Sequence, residues 1–278
     1  MLNAENYLQL HFPDVSSAEQ ELIIAHLACI GFVGFEQGNN FLKACIPERE
    51  YDEALLNDIV DLQQYRFNIE IIEPKNWNEE WEKSFEPVIV DQFCAIRAFF
   101  HPPIQNIRHE IIITPKMSFG TGHHATTYQV IQLMQGVVFD NKSVLDFGTG
   151  TGVLAILAEK LGAKEIFAID NDEWSINNAE ENIRTNACSR INLSQADHIG
   201  ENKQFDIILA NINKHVILEN LSSLAKQLAP GGVLIVSGIL RNDQHDIVNS
   251  AFSKKLFVVT QSERRDWLAL SLTNVKPI

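Results

Sequence analysis

Cysteine is scarce in this sequence. The four present (Cys29, Cys45, Cys94 and Cys188) are far apart, with no CxxC pair. This excludes a disulfide framework and a thiolate zinc site, and fits reduced, mostly buried thiols in a cytoplasmic protein. Long apolar runs are missing too. The best, Leu22 to Phe35, has 14 residues and contains His26, whereas a membrane span takes about 20. The amino terminus, Met1 to Asn6, has none of the positive charge of a signal peptide. With Gly 14 and Pro 9, the chain is neither collagen-like nor of low complexity, and no fixed-period repeat is apparent. Positive charge is in deficit, with 22 Lys and Arg against 36 Asp and Glu. An acidic surface repels phosphate backbones, so neither a nucleic-acid substrate nor a membrane partner is expected.

What is present is an ordinary globular composition. A 45% hydrophobic chain of 278 residues can build a real core and has room for one large domain or two unequal ones. The net charge of -14 is unevenly placed. Residues 1–85 hold 16 acidic and 5 basic side chains, and residues 86–278 hold 20 and 17. The first third is therefore strongly acidic and the remainder nearly neutral. A solvated face explains such charge without a partner; a basic partner explains it equally well.

The first 72 residues alternate in the order β-α-β-β-α-β. Strands are expected at Tyr7–Phe12, at Gly31–Phe35 and Asn40–Ile46 around the turn Gln37-Gly38-Asn39, and at Phe67–Ile72, with helices over Glu21–Ile30 and Glu50–Val60. That order is the ferredoxin-like motif. Trp77 to Phe85 is expected to be a short amphipathic, acidic linker helix. Strand-like pieces follow at Val88–Val90, Cys94–Phe99 and Glu110–Ile113. From about residue 124, helices and strands alternate, which predicts a mostly parallel sheet with helices on both faces. The expected organisation is an N-terminal substrate-recognition domain at 1–72, a linker at 73–87, and a catalytic domain at 88–278. In such sheets ligands bind at the carboxyl ends of the strands.

The strongest motif is Asp146-Phe147-Gly148-Thr149-Gly150-Thr151-Gly152, between a predicted strand and a predicted helix. Glycines there let backbone approach a ligand closely. The next acid at a strand end, Asp170, is placed to accept hydrogen bonds from ribose hydroxyls. A dinucleotide fingerprint would read G-x-G-x-x-G, but the spacing here is G-x-G-x-G. Asp146 ahead of the loop would repel a pyrophosphate and attract a cationic amino-acid group. Both features favour S-adenosylmethionine over NAD. A turn whose glycines serve packing alone is the competing reading.

Three further signals are weaker singly. The loop Phe119-Gly120-Thr121-Gly122-His123-His124-Ala125-Thr126-Thr127 can fold over a ligand; otherwise it is a helix start capped by Thr126 or Thr127. Adjacent histidines rarely address one metal, and no metal site is expected. Asn211, in Ala210-Asn211-Ile212-Asn213 at a strand end, can accept a hydrogen bond from a substrate amine, or can simply make a turn. Asp197 can accept from an adenine amino group, or be a solvated loop acid.

On these residues the chain resembles the class I S-adenosylmethionine-dependent methyltransferases, and among them the PrmA-type ribosomal protein methyltransferases. The resemblance runs through the tryptophan-rich segment 77–87, the F-G-T-G-x-H-x-T-T loop at Phe119–Thr127, D-x-G-x-G-x-G at Asp146–Gly152, A-N-I at Ala210–Ile212, and S-G-I-L at Ser237–Leu240. It implies a Rossmann-like α/β sheet with a small ferredoxin-like N-terminal α+β domain that binds the substrate. The implied activity is methylation of amines, lysine side chains or the N-terminus, on large-subunit ribosomal protein number eleven. It also implies that Thr127, Gly148, Asp170 and Asn211 fall on cofactor-binding positions, with Asn211 facing the incoming amine. Gly150, Asp146 and Asp197 join them on the residue argument above. The alternatives weighed are a methyltransferase for another protein, a small molecule or a nucleic acid, an NAD-dependent oxidoreductase, and a binding module without catalysis. A monomer is expected.

Overall fold

A computed structural model describes residues 6–72, 85–116, 118–198, 200 and 203–276. Contacts divide the chain into two compact units, Met1–Lys83 and Ser84–Ile278. The expected linker helix falls mostly outside the described residues, and Phe85–Pro87 follow without regular structure.

In the first unit, strands β1 (Tyr7–Pro13), β2 (Gly34–Gln37), β3 (Phe41–Pro47) and β4 (Asn68–Ile72) form one antiparallel sheet in the order β2-β3-β1-β4. Helix α1 (Ser17–Cys29) starts at Ser16, whose backbone N–H donates to the Glu19 carboxylate at 2.7 Å, reaching back as in a capping box. Alternate strand residues Leu10, Phe12, Leu42, Ala44 and Ile46 bury against Ile23 and Leu27 of α1. The second helix is much shorter than expected. Asp52 caps it by accepting from the Ala54 N–H at 2.8 Å, but α2 spans only Glu53–Asn57, and a 3-10 turn follows at Val60–Leu62. Asn57, Asp58, Ile59 and Val60 are all poor helix formers, and Leu56 is the helix's one buried side chain. Packing that shallow cannot override local propensity.

The second unit begins with a three-stranded sheet of β5 (Val88–Val90), β6 (Cys94–Ala98) and β7 (His109–Ile113). β5 pairs antiparallel and β7 parallel with β6. Buried Arg97 pairs with Glu110 through Nε–Oε1 at 2.9 Å and Nη2–Oε2 at 3.0 Å, a two-point ion pair that fixes this register.

The main sheet has seven strands: β8 (Ser143–Phe147), β9 (Glu165–Asp170), β10 (Ile191–Gln195), β11 (Phe205–Asn211), β12 (Leu228–Leu240), β13 (Phe257–Arg264) and β14 (Trp267–Thr273). Their order is β10-β9-β8-β11-β12-β14-β13, and β14 runs antiparallel to both neighbours. The helices are α3 (Ala125–Met134), α4 (Val153–Lys160), α5 (Glu173–Thr185), α6 (Lys214–Gln227) and α7 (Gln244–Ser253). Strand β11 shows how the layers arise. Ile207 and Leu209 pack in the cluster with α3 and α4, while Ile208 and Ala210 pack in the cluster with α6 and α7. Both faces are covered, so β11 reads as an unbroken apolar run. Strand order reverses between β8 and β11, which opens a crevice at their carboxyl ends. The Rossmann-like expectation is borne out.

An asparagine ladder joins the two sheets of this unit. Asn178, Asn182 and the C-cap Asn186 recur every four residues along α5, so they share one face. Asn186 accepts from the Ile112 N–H (3.0 Å) and donates to the Ile112 carbonyl (2.6 Å). Asn182 accepts from the Thr114 N–H (2.8 Å), and Asn178 donates to the Thr114 carbonyl (3.0 Å). Carboxamides thus take the place of a neighbouring strand along β7 and the residue that follows it, satisfying backbone groups that burial would otherwise penalise.

All four cysteines are free. Burial pushes the Cys94 thiol up to about 12 and the Cys188 thiol up to about 11, whereas Cys29 is exposed. Because the thiolate is the nucleophile, alkylation of the native protein at pH 8 is expected at Cys29 first, with Cys94 and Cys188 protected until denaturation. Peptide mass spectrometry reads this, and rapid labelling of Cys94 would contradict the packing.

Candidate functional site

The crevice holds a cavity of about 910 Å³, within the usual range for a small-molecule site. Its floor is the turn from β8 into α4. Gly150 there has φ +55°, and a Cβ built on it would lie 2.3 Å from the Phe119 carbonyl oxygen. That contact is backbone against backbone, so no side chain can yield. The Thr151 N–H donates to the Phe119 carbonyl at 2.9 Å, and the Thr151 hydroxyl donates to the Gly120 carbonyl at 2.8 Å. The two glycine loops found in the sequence are therefore one structure, the upstream loop lying on the downstream one. Met117 lies outside the described residues.

Thr127, Gly148, Gly150, Asp170, Asp197 and Asn211 all line this cavity. They come from five separate places in the chain. Asp170, at the end of β9, accepts from the Gly150 N–H (2.9 Å) and the Asp172 N–H (3.1 Å). Each carboxylate oxygen keeps a second lone pair for a ligand hydroxyl. Asp197 is exposed, on the loop after β10.

Asn211 ends β11 and is buried. Its Nδ2 donates to the Thr127 hydroxyl at 3.3 Å, across the top of α3. Its Oδ1 has no hydrogen-bond partner among the described residues. Leaving a buried acceptor unmade costs about 1–3 kcal/mol, so an unsatisfied carbonyl on a cavity wall marks a place for a ligand donor. The next residues are held by close packing. Gly238 (φ +89°) lies so near Ile212 that a Cβ would come within 1.9 Å of the Ile212 carbonyl oxygen. Asn213, which also lines the cavity, caps α6 by accepting from the Val216 N–H at 3.1 Å.

Asp146 departs from expectation. It does not line the cavity. It is fully buried beneath the loop, where Oδ2 accepts from the Thr149 hydroxyl (2.6 Å) and the Ala155 N–H (3.1 Å). Strand alternation is the reason: Phe147 reaches the cavity, and its neighbour Asp146 points the other way. The helix cap also differs. His124, rather than Thr126 or Thr127, caps α3, its Nδ1 accepting from the Thr126 N–H at 3.4 Å. Thr126 and Thr127 are then the second and third helical residues, buried and on the cavity wall. No cluster of three or more His, Cys, Asp or Glu side chains that could hold a metal occurs among the described residues.

The sequence reading missed Trp267. It begins β14, lines the cavity, and meets the His124 ring edge-on at 4.7 Å between centroids. No local pattern announces it. Its place at the site follows from antiparallel pairing of Leu240 with Trp267, beside Gly238. Gly238 was visible only inside the S-G-I-L string, whose spatial neighbour Ile212 lies far away in sequence.

Comparison with known proteins agrees with this arrangement. The family model described as ribosomal protein L11 methyltransferase (PrmA) matches residues 34–275. A curated relative from Porphyromonas gingivalis, named ribosomal protein L11 methyltransferase, is 37% identical over 280 residues, covering 96% of each chain. One of the same name from Chlorobaculum tepidum is 37% identical over 254 residues, covering 86% of each. The crystal structure of a ribosomal protein L11 methylase from Lactobacillus delbrueckii subsp. bulgaricus superposes with a TM-score of 0.64 at 27% identity, over 68% of this chain and 98% of that one.

Burial drives the Asp146 carboxyl up to about 7, against the lowering effects of Thr149 and Ala155. A raised folded pKa means the folded state holds a proton that the unfolded chain releases near 4. Its stabilising contribution is full below about pH 4 and is lost as pH rises to about 7. Asp146→Asn mimics the protonated acid. In calorimetry of the unliganded protein, the variant is expected to gain on the parent by on the order of a few kcal/mol between pH 4.5 and 8. A difference that does not change with pH would refute this.

Proposed function

The chain belongs to the ribosomal protein L11 methyltransferase (PrmA) family, and we propose that it transfers methyl groups from S-adenosylmethionine to amines of ribosomal protein L11. The chemistry is S-adenosylmethionine-dependent protein methylation on a class I sheet. The dehydrogenase alternative is not favoured by that membership. The observation that carries the proposal is the unpartnered, buried Asn211 carbonyl on the wall of the crevice.

The residues present suit the cofactor. A nucleoside would lie over the ends of β9 and β10, where Asp170 accepts from ribose hydroxyls and Asp197 from the adenine amino group. Backbone at Gly148 and Gly150 would lie against the remainder, with Thr127 above. Asp146 would act from beneath, by holding the loop through Thr149 and Ala155. When bound, S-adenosylmethionine supplies an electrophilic methyl carbon on a sulfonium.

The chain must bring a neutral amine to within about 3 Å of that carbon, in line with the departing sulfur. Lysine has a pKa near 10.4, so an ammonium must lose a proton first. Entry past Phe119, Trp267 and Phe147 desolvates the ammonium and lowers that pKa. The Asn211 carbonyl then accepts one amine hydrogen and aims the nitrogen lone pair. Thr127 fixes the carboxamide by occupying its NH₂ group. No side chain in the wall is assigned as a dedicated base; positioning and desolvation do the work.

The acidic first unit suits recognition of a basic ribosomal protein, and we assign residues 1–72 that role, with 73–87 linking it to the catalytic 88–278. Such a substrate places the enzyme in the cytoplasm, and we take it to act as a monomer. Among the described residues no helix is long and apolar enough to cross a membrane.

Labelled S-adenosylmethionine with purified ribosomal proteins tests the function. Label is expected on L11; cofactor binding with no transfer would overturn the proposal. Asn211→Ala is expected to slow single-turnover methylation by at least roughly tenfold while the fold survives. An unchanged rate would remove Asn211 from the mechanism.

A further inference from the structure

Gln129 is fully buried on α3, yet it does not line the cavity. An apolar side chain would fill such a position more cheaply. Its amide nitrogen, Nε2, instead donates to two backbone carbonyls, those of Ser262 (2.7 Å) and Trp267 (2.9 Å). These acceptors flank the tight turn between β13 and β14, where Arg264 pairs with Trp267 and Arg265 has φ +55°. The same helix touches the turn elsewhere: the Arg264 guanidinium lies 3.7 Å over the Tyr128 ring, and the Ser262 hydroxyl donates to Gln132 at 2.9 Å.

Helix α3 and its capping residue thus make three contacts that bear on the cavity. His124 meets the Trp267 ring, Thr127 takes the Asn211 carboxamide, and Gln129 holds the Trp267 backbone. A helix is a rigid spacer of 1.5 Å per residue. Asn211, Gly238 and Trp267 come from adjacent strands β11, β12 and β14, on the opposite side of the crevice from Asp170 and Asp197. The amine must enter on that side if the nucleoside lies over β9 and β10.

We propose that Gln129 is a positioning residue for methyl acceptance: by clamping the Ser262 and Trp267 carbonyls to α3, it sets the distance between the Trp267 ring and the Asn211 carbonyl, between which the substrate amine is held. This rests on the function proposed above. It predicts an effect on acceptor use that spares cofactor binding.

The test uses the full chain labelled with 5-fluorotryptophan, the Trp267 resonance being identified with Trp267→Phe. In Gln129→Met the two carbonyls lose their donor. The Trp267 fluorine resonance is expected to move while that of exposed Trp174 stays, the KM for L11 to rise about tenfold, and S-adenosylmethionine affinity to stay within about threefold. An unmoved Trp267 resonance with unchanged KM would overturn the proposal, as would equal losses of cofactor and acceptor binding. Should Gln129→Met not fold, Gln129→Glu decides. An ionised carboxylate repels both carbonyls, whereas the protonated acid donates to one. Its KM for L11, relative to the parent at the same pH, is expected to fall towards one as pH drops from 8.5 to 6; a constant ratio would count against the clamp. A parent enzyme that binds cofactor but methylates no L11 would contradict the function alone, and the Trp267 resonance would still decide the role of Gln129.

Discussion

The site depends on one close approach, that of the Gly150 backbone to the Phe119 carbonyl. Side chains repack around a substitution, but two main chains in contact cannot. Because Gly150 has no Cβ, the Thr151 N–H reaches the Phe119 oxygen and the Thr151 hydroxyl reaches the Gly120 oxygen. The upstream loop is thereby laid across the strand ends, and α3 starts where Thr127 meets Asn211. The cavity wall, the held carboxamide and the aromatic rim all follow from that contact.

Asparagine recurs at several places where backbone is satisfied without a strand or helix partner. Asn178, Asn182 and Asn186 serve β7 and Thr114, and Asn182 also donates to the Thr151 carbonyl at 2.8 Å, tying the ladder to the glycine loop. Asn274 accepts from the Gly231 N–H and donates to the Leu228 and Ala229 carbonyls, holding the irregular start of β12. A carboxamide carries a donor and an acceptor with no charge, so it can mimic a peptide group inside the fold at no ionic desolvation cost. Asn178 and Asn211 each use the donor and leave the acceptor over. Among the described residues whose buried side-chain acceptors are left unmade, which include Gln129, Asp146 and Asn178, only Asn211 lines the crevice.

Asp146 shows how a motif residue can matter without touching a ligand. Its Oδ2 accepts from Thr149 in the turn beneath the cavity and from Ala155 in the first turn of α4. Placing an acid there costs desolvation, which raises its pKa. The residue supports the loop from beneath a site bordered by Asp170 and Asp197.

Much of this was legible in residue order. Alternating helices and strands, the strand–glycine–helix motif and Asp170 at the next strand end are local patterns, written in contiguous residues by backbone period and torsional demand. They determined the sheet, its ligand-binding edge and the class of chemistry. The direction of Asp146, the cap at His124, the short α2 and the arrival of Trp267 at the crevice were not legible. The first and last are decided by contacts between segments far apart in the chain, the face a strand turns to its neighbours and the register in which β14 returns beside β12; α2 ends where shallow packing does not override poor local propensity, and His124 competes with its neighbours for a local bond from the Thr126 N–H. Sequence period specifies which elements form and where they can bind. Only packing decides which side chains meet, because burial and pairing are summed over partners that no stretch of local sequence contains.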